Sequence, residues 1–208
     1  MPYDRRPLKT RSLTVFRSLA QTLVNRRISP NTISLAGVAA AIFGFICLWG
    51  AARGWPGGWF FILIAAVCVQ IRLLCNLLDG LIAVDFDRRQ KGGDIFNEVP
   101  DRIEDTLFLV GAGYLAGYAE LGWLCTVLAV FTAYIRAFGA SLGQSQDFGG
   151  PFAKPHRMAI LTIGLILAAL MALLGLGFNI MALVMWILVA GTALTAALRI
   201  QRLYKALP

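Results

Sequence analysis

The chain has 208 residues, 58% of them hydrophobic, with a mean hydropathy of +0.71 and a formal net charge of +8. That is the length of one domain, but it is too apolar for a soluble globule of this size. The basic residues are spread between hydrophobic runs instead of gathering in a patch suited to nucleic acid, so a lipid bilayer is the expected partner and nucleic acid is not.

In chain order, RRPLKTRSLTVFRSLAQTLVNRR comes first; it lacks the apolar core and small-residue cleavage site of a signal peptide and is expected to stay on the protein. Within it, residues 11–26 place Leu13, Val15, Phe16, Leu19, Leu23 and Val24 at helical spacing, with Arg11, Arg17, Gln21 and Arg26 mostly elsewhere on the wheel. This predicts an amphipathic helix lying on the membrane surface. ISPNTIS follows, a Pro-Asn turn whose Asn31 or Thr32 is expected to cap the first span.

A helix needs roughly 20 apolar residues to cross a bilayer. Five stretches qualify outright, at about 30–52, 59–83, 121–142, 158–176 and 178–198, and a sixth at about 97–118 qualifies if acids at its start are tolerated. Arg5, Arg6, Lys9, Arg11, Arg17, Arg26 and Arg27 precede the first span. Arg88, Arg89 and Lys91 lie between the second and third, Lys154 and Arg157 between the fourth and fifth, and Arg199, Arg202 and Lys205 close the chain. The alternate loops hold only Arg53, so the positive-inside rule predicts six spans with both termini cytoplasmic. The fold class expected is therefore an all-α integral membrane protein, with a cytoplasmic segment and surface helix over residues 1–29 and a six-helix membrane domain over 30–208. Cys47, Cys68, Cys75 and Cys125 fall inside apolar spans without metal-ligand spacing and read as small core residues.

The chemistry is concentrated between spans two and three. Arg72, Asn76, Asp79 and Gly80 form one stripe of a helix, and Asp94, Asn97, Asp101, Glu104 and Asp105 form another on the helix that follows a short loop. If those helices are antiparallel neighbours, Asn76 and Asp79 face Asn97 and Asp101 near the cytoplasmic surface, and Arg72 lies one turn deeper, level with Glu104 and Asp105. Ionised groups on membrane helices cost on the order of 2.5–3.5 kcal/mol each and face a partner or a cavity. Converging carboxylate and carbonyl oxygens suit Mg²⁺, Mn²⁺ or Ca²⁺. The bland counter-reading is buried ion pairing, which is the favoured account of Arg72 with Glu104 or Asp105.

NxxDGxxAV over residues 76–84, followed by Gly93, Asn97 and Asp101, resembles the CDP-alcohol phosphotransferase signature, DxxDGxxAR and then GxxxDxxxD after eight residues. SPNTIS is similar to that family's entry into its first span, and YIRAFGA, residues 134–140, to its YxRAR. The resemblance implies a six-helix homodimer in the bacterial inner membrane with its site facing the cytoplasm. It would transfer a phosphatidyl or similar group from CDP-diacylglycerol to an alcohol acceptor and release CMP, using one or two divalent cations, Mg²⁺ or Mn²⁺. Carried over by position, Asn76, Asp79, Asn97 and Asp101 are the metal ligands and Asp101 is also the catalytic base. Gly80, Ala83 and Gly93 leave room for nucleotide and phosphates, and Asn31 and Ser34 belong to the substrate side.

The departures are Asn76, Asn97 and Val84, where the family has two aspartates and an arginine. Asp94, Glu98, Asp85 or Asp87 can restore charge, and Arg88 or Arg89 can replace the arginine. Arg136, Lys154 and Arg157 make a basic rim fit for a phosphate, with His156, the single histidine, beside it. Two rival classes follow from the same residues: a non-catalytic relative that binds CDP-lipid or metal, and a small transporter. The second is disfavoured because the outer halves of the spans lack a polar track.

Overall fold

The structure is a computed structural model and describes residues 14–86 and 92–207. Within these it is helical: α1 (Thr14–Asn25), α2 (Pro30–Ala52), α3 (Gly58–Asp85), α4 (Gly93–Leu115), α5 (Ala119–Ser141), α6 (Lys154–Leu173) and α7 (Ile180–Ala206). Five of them, α2, α3, α5, α6 and α7, are long and apolar enough to cross a membrane. The acids in its first half set α4 apart. Their outward faces carry large apolar side chains, such as Phe43 and Ile46 on α2, Val127 on α5, Ile163 and Leu170 on α6, and Trp186 on α7. A water-facing surface would not tolerate such a continuous apolar coat, and the chain is a multi-pass membrane protein.

The extensively packed pairs close a ring of six helices in the order α2, α4, α5, α7, α6, α3. The expectation that α3 and α4 lie side by side needs correction. They touch each other sparsely, because α2 packs extensively against both. What permits this is a small-residue stripe on α2, where Gly37, Ala41, Gly44 and Leu48 are buried. A Cβ at Gly44 would stand 2.6 Å from the Phe108 ring, and one at Gly113 would stand 2.8 Å from the Gly122 backbone where α4 meets α5. Without side chains at such points, helix backbones approach closely, which is how packing is won where lipid removes the hydrophobic drive between helices.

The core of the ring is apolar. Ala65, Val69, Phe108, Leu109, Cys125, Leu161, Leu165, Met185 and Leu188 are among its buried members. Of the four cysteines, Cys47, Cys68 and Cys125 are buried, Cys75 is half-buried, and all are free, as core residues would be.

The surface helix is present, but its inward face is narrower than the pattern suggests. Phe16, Ala20, Leu23 and Val24 pack with Ile33, Leu78, Leu81, Ile82 and Phe86, while Val15 and Leu19 stay exposed. Arg27 ends the helix at φ 57°, with its amide bonded to Val24 and that of Ile28 to Leu23, a left-handed cap. The cap of α2 is Ser29, whose side chain accepts from the Thr32 amide, and not Asn31 or Thr32. Pro30 takes the first helical position, where its missing N–H costs nothing, and Asn31 and Thr32 thus sit inside the first turn.

Candidate active site

The polar residues of α3 and α4 meet at one end of the ring. On α3, Arg72, Asn76 and Asp79 recur at helical spacing. On α4, Asp105, Glu104 and Asp101 meet them in reverse order, so the two helices run antiparallel.

The deeper level is an ion-pair network. Arg72 is fully buried; its Nε donates to Glu104 Oε2 at 2.5 Å and one terminal nitrogen donates to Asp105 Oδ1. Arg157, reaching in from the first turn of α6, lies 3.3 Å from the other oxygen of Asp105. This is the level predicted for Arg72. Gly37 on α2 makes it possible, because a Cβ there would stand 2.5 Å from Glu104 Oε1. Neither Gly37 nor α2 itself was visible to reasoning confined to the α3–α4 pair.

The rim lies one turn out. Asn76 Nδ2 donates to Asp101 Oδ1 at 2.5 Å, and the Lys154 ammonium pairs with Asp101 Oδ2. Arg72 stands 3.4 Å from one Asp101 oxygen and Arg102 3.5 Å from the other. Asp79 is only 4% exposed. Ser34 Oγ, from the first turn of α2, donates to its Oδ2 at 2.6 Å, and the Gly80 amide lies beside the carboxylate. Its Oδ1 is buried without a hydrogen-bond partner among the described residues.

The other site residues fall into place unevenly. Gly80 and Ala83 lie on the last two turns of α3, half-buried, and Gly93 opens α4 with free space where a side chain would be. Gly92 before it has φ 77°, the freedom expected of the Gly-Gly pair. Asn31 is half-buried. Asn97 departs from expectation: it lies exposed one turn before Asp101, and no described hydrogen bond or ion pair joins it to Asn76, Asp79 or Asp101. Pro100 lies between them inside α4 and leaves the Phe96 carbonyl without its usual helical donor.

The basic rim is more engaged than the sequence suggested, because each cation already has an acid: Lys154 has Asp101, Arg157 has Asp105, and Arg136 has Glu98 at 2.6 Å. His156 is exposed. Arg88, Arg89 and Asp87, and the side chain of Asp94, lie outside the described residues; Asp85 pairs with Arg17 of α1 at 3.6 Å.

What carries Lys154 to the rim is the loop that precedes it. The buried Arg199 of α7 donates to the carbonyls of Thr132 and Gly149, at 2.7 and 2.9 Å, and Thr195 accepts from the Phe152 amide. Phe152 itself lies over Gly191, where any side chain would collide with its ring. The 142–153 segment is thus tied down on α5 and α7, and α6 starts at Lys154 in a fixed place. Arg199 had been read as topology alone.

A hard cation fits one part of this arrangement. The donors are oxygens, and Asp79 Oδ1 is a buried acceptor lacking a donor, the state an absent ligand leaves. Among the described residues there is no group of three or more His, Cys, Asp or Glu side chains placed to hold a metal. Asn76, Asp79 and Ser34 are the oxygen-bearing residues that could hold a cation, and Asp101 is taken up by donors of the chain.

The helices thus form a ring with an oxygen-lined, charge-dense site at one end. No family model matches the chain. It is 30% identical over 164 residues to phosphatidylinositol phosphate synthase of Mycolicibacterium smegmatis, a match covering 71% of this chain and 66%, just under two thirds, of that protein. It is 26% identical over 200 residues to the phosphatidylinositol phosphate synthase of Streptomyces avermitilis, covering 92% and 77%. The crystal structure of the Mycobacterium tuberculosis phosphatidylinositol phosphate synthase with CDP-DAG bound has the same fold, with a TM-score of 0.73 at 20% identity over 92% of this chain and 94% of that one. The same protein in complex with manganese and citrate also gives 0.73 at 20% identity, over 91% and 88%. These relatives support the CDP-alcohol phosphotransferase family, whose signature residues 76–101 resemble.

Proposed function

We propose that this chain transfers a phosphatidyl group from CDP-diacylglycerol to an alcohol acceptor and releases CMP, as a step of phospholipid biosynthesis. One observation carries the reading: Asp79, the aspartate of the DG pair, is a buried carboxylate at the end of the ring with no cation paired to it among the described residues. The relatives' names and the CDP-DAG bound by the M. tuberculosis protein support the donor; the manganese in that protein supports a divalent cation, Mn²⁺ or Mg²⁺, as cofactor.

In this reading Asp79 and Asn76 ligate the cation, and Asn97 joins them at the rim when the donor binds. The cation, when bound, neutralises pyrophosphate charge and steadies the leaving group. Gly80, Ala83 and Gly93 leave backbone room for the nucleotide and phosphates. Ser34 orients Asp79, and Asn31 lies beside it on the substrate side. Asp101 takes the proton of the acceptor hydroxyl as it attacks phosphorus. Lys154, Arg136 and Arg157 give the rim positive charge, which favours a phosphorylated alcohol as acceptor.

The topology follows the charges. Six spans, α2 to α7, place both termini and the site on the cytoplasmic side of a bacterial inner membrane, with α4 accepted as a span because its acids lie in the polar half. Residues 1–29 then form the cytoplasmic segment and 30–208 the membrane domain, and the working unit is a homodimer.

The test is to incubate purified protein with CDP-diacylglycerol, Mn²⁺ or Mg²⁺, and inositol phosphate, glycerol phosphate, serine or a lipid alcohol, following CMP and lipid product. Cation-dependent CMP release with one acceptor is expected. CDP-lipid binding with no CMP release for any acceptor would mark a non-catalytic relative and overturn the transferase reading.

A further inference from the structure

The two aspartates of the rim differ in what already neutralises them. Asp101 has both oxygens engaged: one accepts from the Asn76 amide, the other pairs with the Lys154 ammonium, and Arg72 and Arg102 stand 3.4 and 3.5 Å away. Asp79 has the Ser34 hydroxyl on one oxygen and the Gly80 amide beside the carboxylate, and among the described residues no Lys or Arg lies within ion-pair distance of it. Lys154 is largely buried, its side chain 16% exposed, and α6 is held so that this ammonium enters the cluster. We propose that Lys154 is a resident cation of the site: its ammonium occupies Asp101 in place of a second divalent ion, and the site takes one divalent cation, on Asp79.

Charge supports the count. The signature that the chain resembles has four carboxylates, which two divalent ions bring to neutrality. Here two of those positions are Asn76 and Asn97, leaving the carboxylates of Asp79 and Asp101. With the Lys154 ammonium and one divalent ion they sum to one positive charge, a fair match for an anionic donor. A second divalent ion would raise the sum to three, next to an ammonium already on the oxygen it would need. A lysine suits the place because its ammonium is a compact point charge on a flexible stem. Asn76 fits the same scheme, since an aspartate there would face Asp101 as a second anion, whereas the amide donates to it. Asp101, free of metal, stays oriented beside Lys154 and Asn76.

This inference rests on the transferase reading for its purpose, but its test does not use substrate. Mn²⁺ binding to the purified protein in detergent is followed by electron paramagnetic resonance of the free ion, with size exclusion and thermal unfolding as controls for folding. Wild type is expected to bind one Mn²⁺ per chain, and Asp79→Asn to weaken binding by about tenfold or more. The double variant Asp101→Asn/Lys154→Met removes the ion pair as a unit, so neither charge is left alone; it should keep one Mn²⁺ with affinity within about threefold of wild type. Lys154→Met alone frees an Asp101 oxygen and should tighten Mn²⁺ by about tenfold or admit a second ion. Two ions on wild type, none on wild type, no response to Lys154→Met, or a loss in the double variant as large as in Asp79→Asn would each overturn the assignment. A protein that binds one Mn²⁺ in this pattern yet releases no CMP keeps the Lys154 assignment and sinks the transferase reading; turnover with two bound ions does the reverse.

Discussion

Arg72 and Asp79 lie two helical turns apart on α3, both buried, and their surroundings differ in kind. Around Arg72 the charges are matched: Glu104 and Asp105 bond it directly, and Arg157 takes the other side of Asp105. Around Asp79 a hydroxyl serves one oxygen, and among the described residues no Lys or Arg pairs with the carboxylate. Buried charges that are matched by opposite charges hold helices together, while a buried carboxylate without a cation can take one from outside. Two sections of one polar stripe thus separate into a brace and a site, and the turn between them, with Asn76 and Asp101, belongs to both.

That contrast can be broken by substitution. Asp101→Asn removes the proposed base and is expected to slow CMP release per folded molecule by about 10²–10⁴-fold, read by steady-state CMP release against thermal unfolding. Arg72→Met leaves Glu104 and Asp105 buried and unpaired; it should cost about 3–5 kcal/mol of stability, seen as lost yield and a lowered unfolding midpoint in detergent. Gly37→Ala drives a methyl against Glu104 and should cost about 1–3 kcal/mol in the same assay. Ser34→Ala takes the hydroxyl from Asp79 and should change Mn²⁺ affinity and CMP release by about tenfold with little change in unfolding. Arg17→Ala breaks the exposed pair with Asp85 and should shift stability by less than about 0.5 kcal/mol. A large effect at Arg17 with a small one at Arg72 would invert the comparison.

The sequence was informative where a property is local or periodic. The apolar runs marked the five helices long and apolar enough to cross a bilayer, α2 at its observed limits of 30–52, because length and hydropathy decide what can cross one. The spacing of Arg72, Asn76 and Asp79 against Asp101, Glu104 and Asp105 placed both levels of the stripe. What was not legible depended on a third body. The approach of α2 between α3 and α4 rests on Gly37 and Gly44 meeting Glu104 and Phe108, contacts that span many residues of sequence. Lys154 was read as a rim cation for a substrate phosphate, since nothing in GPFAKPHRM reveals that Arg199 and Thr195 tie the preceding loop down and turn the ammonium onto Asp101. Asn97 was grouped with the ligands on spacing alone, and the structure leaves it exposed. The cap of α2 was missed by two or three residues for a simpler reason: Ser29, Asn31 and Thr32 are all good caps, and Pro30 favours the first helical turn and so hands the role to Ser29.

The most direct test of the division between brace and site is CMP release by Asp79→Asn, per folded molecule, with CDP-diacylglycerol, Mn²⁺ and the acceptor that wild type uses. The substitution keeps the side chain's shape and the Ser34 contact while removing the charge that a cation needs. Release should fall to background while the unfolding midpoint stays at that of wild type. Turnover at the wild-type rate would contradict the assignment of Asp79 as the centre of the site.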